Sequence, residues 1–229
     1  MVKVKFYSNA YLWMIGVLII TMIGFFPSLS TQFHELGIYH HIHGISATLW
    51  LITVIVQPAL YRFNNLKLHR IIGRFSVILA LSVVIGGFLM MKIMMQKKGS
   101  YGTDNIEYYI GIFDAAMLFP FILFFILGLK FRKNIQLHAR YMICTAIFPL
   151  VAPTSRMLPS FGISSWEGFM TGSLIINEVI FIALIINDKI NGKFRLPYLL
   201  ALLLTLAFHI SSYFVPQMQY WRFLMDSLI

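Results

Sequence analysis

The sequence predicts an all-α, polytopic membrane helix bundle of about seven transmembrane helices, with its N-terminus cytoplasmic and its C-terminus outside. Three observations carry that expectation. Of 229 residues, 59% are hydrophobic and only 11% charged, where a soluble domain of this size carries about a quarter charged residues. The apolar residues gather into segments of the length that crosses a bilayer, about 20 residues. The basic residues fall in the short stretches between those segments and favour alternate ones, as a topology signal does. The reading is one integral membrane domain over 1–229, multi-pass in the cell's inner (cytoplasmic) membrane, with the lipid bilayer as its first partner.

The spans are expected at 10–29, 40–62, 71–95, 108–131, 138–158, 167–187 and 196–216. The first is longer than a signal-peptide core and lacks a small-residue cleavage site, so it reads as a span. All must be helical, because only helices and closed barrels satisfy their own backbone in lipid. Orientation follows from the loops. Lys3 and Lys5 precede the first span. Arg62, Lys67, Arg70 and Arg74 separate the second from the third. Lys130, Arg132, Lys133 and Arg140 separate the fourth from the fifth, and Lys189, Lys193 and Arg195 the sixth from the seventh. In an intervening loop, Lys97 and Lys98 are offset by Asp104 and Glu107. The tail, 217–229, mixes aromatics with a few charges and reads as lying along the outer interface.

The net charge of +10 is therefore a matter of topology. No nucleic-acid-binding signature accompanies it, and no nucleic-acid partner is expected. The single cysteine, Cys144, excludes an intrachain disulfide and reads as a small packing residue. No GxSxG, P-loop or GxGxxG is present. Gly86-Gly87 reads as a helix-packing contact.

Leu68-His69-Arg70 opens the third span after one basic loop, and Leu137-His138-Ala139-Arg140 opens the fifth after another. The matched residues share one offset, which suggests duplicated hairpins, 40–95 and 108–158.

The chemistry rests on the seven histidines, since ionisable groups at membrane depth are costly and mark function. Along the second span, His40, His43, Ala47, Trp50, Val54, Gln57 and Tyr61 form one stripe at helical spacing, which should face the bundle. The seventh span offers Thr205, His209, Ser212 and Tyr213. The sixth brings Asn177 and Glu178, the fourth Asp114, and the fifth Arg156 after Pro149 and Pro153. His40, His43, His209, Asp114, Glu178 and Arg156 could converge in an outward-open polar pocket. The plainer alternatives are headgroup anchoring for His40 and His41 and a structural ion pair for Asp114 with Arg156. At the inner face, His69 and His138 stand beside arginines, as anchors for lipid phosphate or as a pair of axial haem ligands. In the second case Arg70, Arg74 and Arg140 would hold the propionates.

His69-Arg70-x-x-Gly73-Arg74, and then His138-x-Arg140-x-Met142 with Arg156 downstream, resemble a family of bacterial membrane proteins. It is known as domain of unknown function twenty-three-oh-six. His43-Gly44 followed by Gln57 fits its pattern too. The resemblance covers roughly 40–158 and implies a membrane helical bundle without assigning chemistry. The second signature departs from the family's His-Arg, having Ala139 after His138. A looser, architectural similarity is to cytochrome b561, whose consecutive helices hold an outer and an inner haem. Here the fourth span has no histidine for the outer site, so an outer haem would recruit His209.

Three functions follow as expectations. The first is haem- or metal-centred redox work through His69 with His138, and through His43 with His209. Its cofactor would be haem b or a transition metal (zinc, copper or iron), and it would need a redox partner or other membrane subunit. The second is a zinc-dependent intramembrane hydrolase. His40, His43 and His209 would be metal ligands, and Asp114 or Glu178 would orient a water, with Arg156 in the same catalytic pocket. The third is a non-enzymatic transporter, sensor or complex subunit. Whether the chain is an enzyme is open among them.

Overall fold

The computed structural model describes residues 9–31, 33–97, 99 and 105–228. Lys3, Lys5, Lys98 and Asp104, used above for orientation, lie outside them. Among the described residues every regular element is helical: α1 Ala10–Thr31, α2 Ile38–Arg62, α3 Leu66–Gln96, α4 Ile106–Lys130, α5 Ile135–Ile147, α6 Val151–Met157, α7 Trp166–Asn191, α8 Leu196–Ser212 and α9 Gln219–Asp226. Six helical stretches are long and apolar enough to cross a membrane: α1, α2, α3, α4, α7 and the broken rod Ile135–Phe161 that contains α5 and α6. The chain is a multi-pass membrane protein. The expected seventh span is apolar but shorter, 17 residues, or about 25 Å of helix.

The architecture follows from which helices are apolar on every side. Helix α4 buries residues all around its circumference, from Ile106 to Gly128, as a central helix must. Helices α3, α5, α8 and α9 pack around it. The principal core is aromatic. Trp50 meets the rings of Phe121 and Phe125 edge-on, and Phe124 meets Tyr141 and Phe148; such tilted pairs are favoured by the ring quadrupole. Large apolar side chains on α1, α2, α3 and α7 face outward instead, which suits a surface bathed in lipid.

The helix ends are set locally. Asn65 caps α3 by accepting from the Leu68 N–H, and Asn134 caps α5 by accepting from the N–H groups of Gln136 and Leu137. Ser165 caps α7 through the Gly168 N–H. These are the residue types that supply an oxygen to otherwise unpaired amide donors.

The rod α5–α6 breaks where its prolines fall. At Phe148–Leu150 the chain tightens into a 3₁₀ turn, and the Val151 N–H turns back to the Phe148 carbonyl. The Ile147 carbonyl therefore loses its helical donor, and the buried amide of Asn177 on α7 donates to it at 3.1 Å. A freed carbonyl at membrane depth is tolerated only when such a neighbour satisfies it. Helix α1 meets this rod at Gly24, where a Cβ would lie 2.4 Å from the Pro153 carbonyl oxygen.

The C-terminal tail is docked. In α9, Met225 is 1% exposed and fills the place a side chain at Gly111 would need. The Trp221 indole donates to the Tyr108 carbonyl at 3.0 Å, and the Tyr108 hydroxyl donates to Asp226. The tail seals the start of α4.

Replacing Gly24 by alanine should destabilise the protein by about 1–3 kcal/mol, because the contact atom is backbone and cannot swing away. Gly16→Ala, with nothing within 4 Å of its added Cβ, should be neutral or slightly stabilising. Thermal unfolding in detergent checks both.

Candidate functional site

The sequence-predicted residues separate into four groups. The first lies where α3 and α5 begin. His69 stands four residues after the cap Asn65, and His138 four residues after the cap Asn134. The Asn and His pairs share one sequence offset, so both helices deliver an imidazole from the same turn. The His69 ring donates from Nδ1 to the Gln57 carbonyl at 3.2 Å, and the His138 ring donates from Nδ1 to the Gly128 carbonyl at 2.8 Å. A carbonyl can only accept, so Nδ1 carries the proton in each ring and Nε2 keeps its lone pair. The two imidazoles lie within electrostatic reach of each other.

Gln57 belongs to this group twice over. Besides its carbonyl, its side-chain amide donates to the His69 carbonyl at 3.2 Å, and Gly73 leaves room for that amide. Its side-chain oxygen is buried without a hydrogen-bond partner. Tyr61 meets the His69 ring edge-on at 6.3 Å between centroids. Arg70 and Arg74 are exposed on the first turns of α3.

Arg140 is taken by a different partner. Its Nε and Nη2 donate to Asp188 at 2.7 and 2.6 Å, and its Nη1 donates to the backbone and side-chain oxygens of Gln136 at 2.8 Å. Its guanidinium also lies 5.8 Å from the centre of the Tyr198 ring. Both side chains of the ion pair are nearly closed to solvent, at 4% and 2% exposure. Arg140, expected beside a cofactor carboxylate, turns to Asp188 with the fork geometry that would grip a propionate. Sequence reasoning missed Asp188. The available signal was a carboxylate in the last turn of a long apolar helix, where the helix dipole disfavours it and a cation must compensate.

The second group is at the opposite end of α2. From His43 to Gln57 the helix advances about 21 Å. His43 packs so closely on α3 that a Cβ at Gly86 would meet its Nδ1 at 2.6 Å. The Nδ1 atoms of His40 and His43 are both buried without a hydrogen-bond partner. Gly86 is thus the helix-packing contact expected of it, and the α2 stripe faces the bundle, with Trp50 and Val54 buried between its polar ends.

The third group is Asp114 with Arg156, which act on one another electrostatically. Arg156 also lies 4.5 Å from the centre of the Phe25 ring and donates to the Ala152 carbonyl at 2.7 Å. Among the described residues no hydrogen bond joins Asp114 to Arg156, whose guanidinium is engaged by Ala152 and Phe25. The fourth group is Glu178 with His209, whose Nδ1 lies 2.7 Å from the Glu178 Oε1.

The single polar pocket expected from the sequence is therefore divided. Among the described residues, no three His, Cys, Asp or Glu side chains come together in a way that could hold a metal ion. His40, His43 and His209 do not form the three-ligand centre expected of a zinc hydrolase. His209 turns to Glu178, and this also removes it as a partner for His43.

No protein-family model, curated protein or solved structure matches this chain. The similarities drawn on Gly73, Gln57 and the His-Arg pairs, and on the cytochrome b561 arrangement, gain no support from these comparisons.

Replacing Arg140 by methionine, or Asp188 by leucine, should each destabilise the fold by about 3–5 kcal/mol, because one buried charge is left alone. The double substitution should recover most of that loss. Unfolding of the three variants in detergent measures it.

Proposed function

We propose that this protein is a membrane electron-transfer subunit that binds haem between His69 and His138. The observation that carries the reading is the shared state of the two rings. Each is turned by a backbone carbonyl so that Nε2 is free, and each comes from the same turn of its helix. Histidines that ligate metals almost always donate their other ring N–H to such an oxygen, which fixes tautomer and orientation. Haem also suits a two-residue site. His69 and His138 would hold haem through two imidazoles, whereas a zinc centre draws three or four ligands from side chains.

The residues here have definable work. Gln57 and Gly128 aim the imidazoles through their carbonyls. The Arg140–Asp188 pair fixes α5 to α7 two residues from His138 and so holds that ring's helix in register. Arg70 and Arg74 are the cations left to meet propionates. Haem in such a site supplies a reversible one-electron carrier. The chain would contribute binding and orientation in place of a nucleophile. An electron delivered there must come from a redox partner or another membrane subunit.

Purified protein from haem-replete cells should show a Soret band with the sharp reduced-state bands of a six-coordinate haem. His69→Ala and His138→Ala should each abolish those sharp bands. A folded but colourless wild-type protein would reject the proposal and favour the carrier or sensor reading, in which both rings serve only to fasten helices.

A further inference from the structure

Beyond the His69 and His138 end, the structure holds a second titratable assembly that electron transfer does not use. Helices α7 and α8 form an antiparallel hairpin joined by residues 192–195. Glu178 and His209 each stand 13 residues from that turn (191 − 178 and 209 − 196), so they meet at one level. The Glu178 Oε1 is 2.7 Å from the His209 Nδ1. The opposite ring nitrogen, Nε2, is 3.5 Å from the Tyr213 hydroxyl, which lies 3.4 Å from the Thr171 hydroxyl. The Tyr213 ring is stacked along the imidazole at 5.8 Å between centroids. Exposure rises along the chain: the Glu178 and His209 side chains are 13% and 14% exposed, and Tyr213 is 53% exposed.

We propose that Glu178, His209, Tyr213 and Thr171 form a proton-loading site, which carries one proton from the exposed edge of α7 and α8 to the Glu178 carboxylate. The step balances atom by atom. Thr171 gives its hydroxyl proton to Tyr213 and regains one from water at the membrane surface. Tyr213 passes its own proton to the His209 Nε2, and the His209 Nδ1–H passes to the Glu178 Oε1. The result is a neutral carboxylic acid and an imidazole in its other tautomer, with no change at either hydroxyl. Imidazole suits the middle position because it accepts at one nitrogen while releasing at the other.

Neighbouring charges do not close the site. The elements packed against α7 and α8 include α4, α5 and α6. On these, Asp114 and Arg156 act on each other, Arg140 is held by Asp188, and His138 is held by the Gly128 carbonyl. Lys130 ends α4, and Glu107, buried at its start, has one carboxylate oxygen without a hydrogen-bond partner. None of them is hydrogen-bonded to Glu178 or His209. The proposal stands independently of haem at the other end.

The test uses the full chain in phosphatidylcholine vesicles, with labelled histidine read by solid-state nuclear magnetic resonance and carboxyl groups read by infrared spectroscopy. Acidification should raise a protonated-carboxyl band that Glu178→Gln removes, and His209 should change its ring-nitrogen pattern over the same range. Tyr213→Phe, at an exposed position, should keep the fold and the Glu178–His209 bond but slow deuterium exchange at the ring by at least about tenfold. Exchange as fast in Tyr213→Phe as in the wild type would overturn the relay. A carboxyl band untouched by Glu178→Gln, or a His209 ring that keeps one tautomer at every pH, would show a static contact and overturn it too.

Discussion

Hydrocarbon offers no hydrogen-bond partner, so each polar group in this chain must find one inside the bundle or at its edge. That requirement explains more of the structure than hydrophobic burial does, because lipid is as apolar as the core it surrounds. Asn177 is buried in order to serve the carbonyl that the α5–α6 break releases. Trp50 sends its indole N–H to the Thr145 hydroxyl and so joins α2 to α5. Arg140 and Asp188 lock α5 to α7 with two short, parallel bonds. The sites are built from the same material. His69, His138 and His209 each have one ring nitrogen fixed by a partner in an adjoining helix, and the other nitrogen is what remains for chemistry.

The two hairpins α2–α3 and α4–α5 are alike in the features that bear on function. Each returns through a short loop to an asparagine cap, and each presents a histidine one turn later to a carbonyl of the helix it has just left. They differ at the opposite end of the bundle. Helix α2 carries His40 and His43 there, with His43 seated on Gly86 of α3, while α4 brings the carboxylates Glu107 and Asp114 and no histidine. Only one end of the bundle therefore has a matched pair of imidazoles.

Features governed by local sequence were legible before the fold was known. The helices, the proline-broken fifth rod and the inward stripe of α2 follow from run length, proline position and helical spacing. The shared helix position of His69 and His138 followed from the repeated Leu-His. What the sequence did not resolve is which polar groups on different helices meet. A pocket gathered from His40, His43, His209, Asp114, Glu178 and Arg156 assumed that groups at similar depth converge. Depth is read from sequence, but azimuth around the bundle is set by helix crossing and by which neighbours pack together. Here α8 lies against α7, α4 and α5, so His209 finds Glu178 instead of His43. That contact was accessible in part: 178 and 209 are equidistant from the α7–α8 turn, and an antiparallel hairpin sets such residues side by side. Asp188 was harder to see, because its partner Arg140 had been assigned to the loop charges.

The separation of the two titratable assemblies sets what they can do together. His69 and His138 lie about 5 Å along the bundle axis from the basic loops, and His209 about 20 Å, by residue count along α3, α5 and α8. Two charges that far apart through a medium of low dielectric still interact more strongly than they would in water. A charge added near His69 and His138 is therefore felt at Glu178, and a charge added at Glu178 is felt at the two imidazoles in return. This reciprocity needs no moving part, since it follows from fixed positions in an apolar medium. The buried Asp188 is already neutralised by Arg140. Glu178 with His209 differs from Asp188 with Arg140 because its nitrogen partner is an imidazole, which can donate at one ring nitrogen and accept at the other, and not a guanidinium, which only donates.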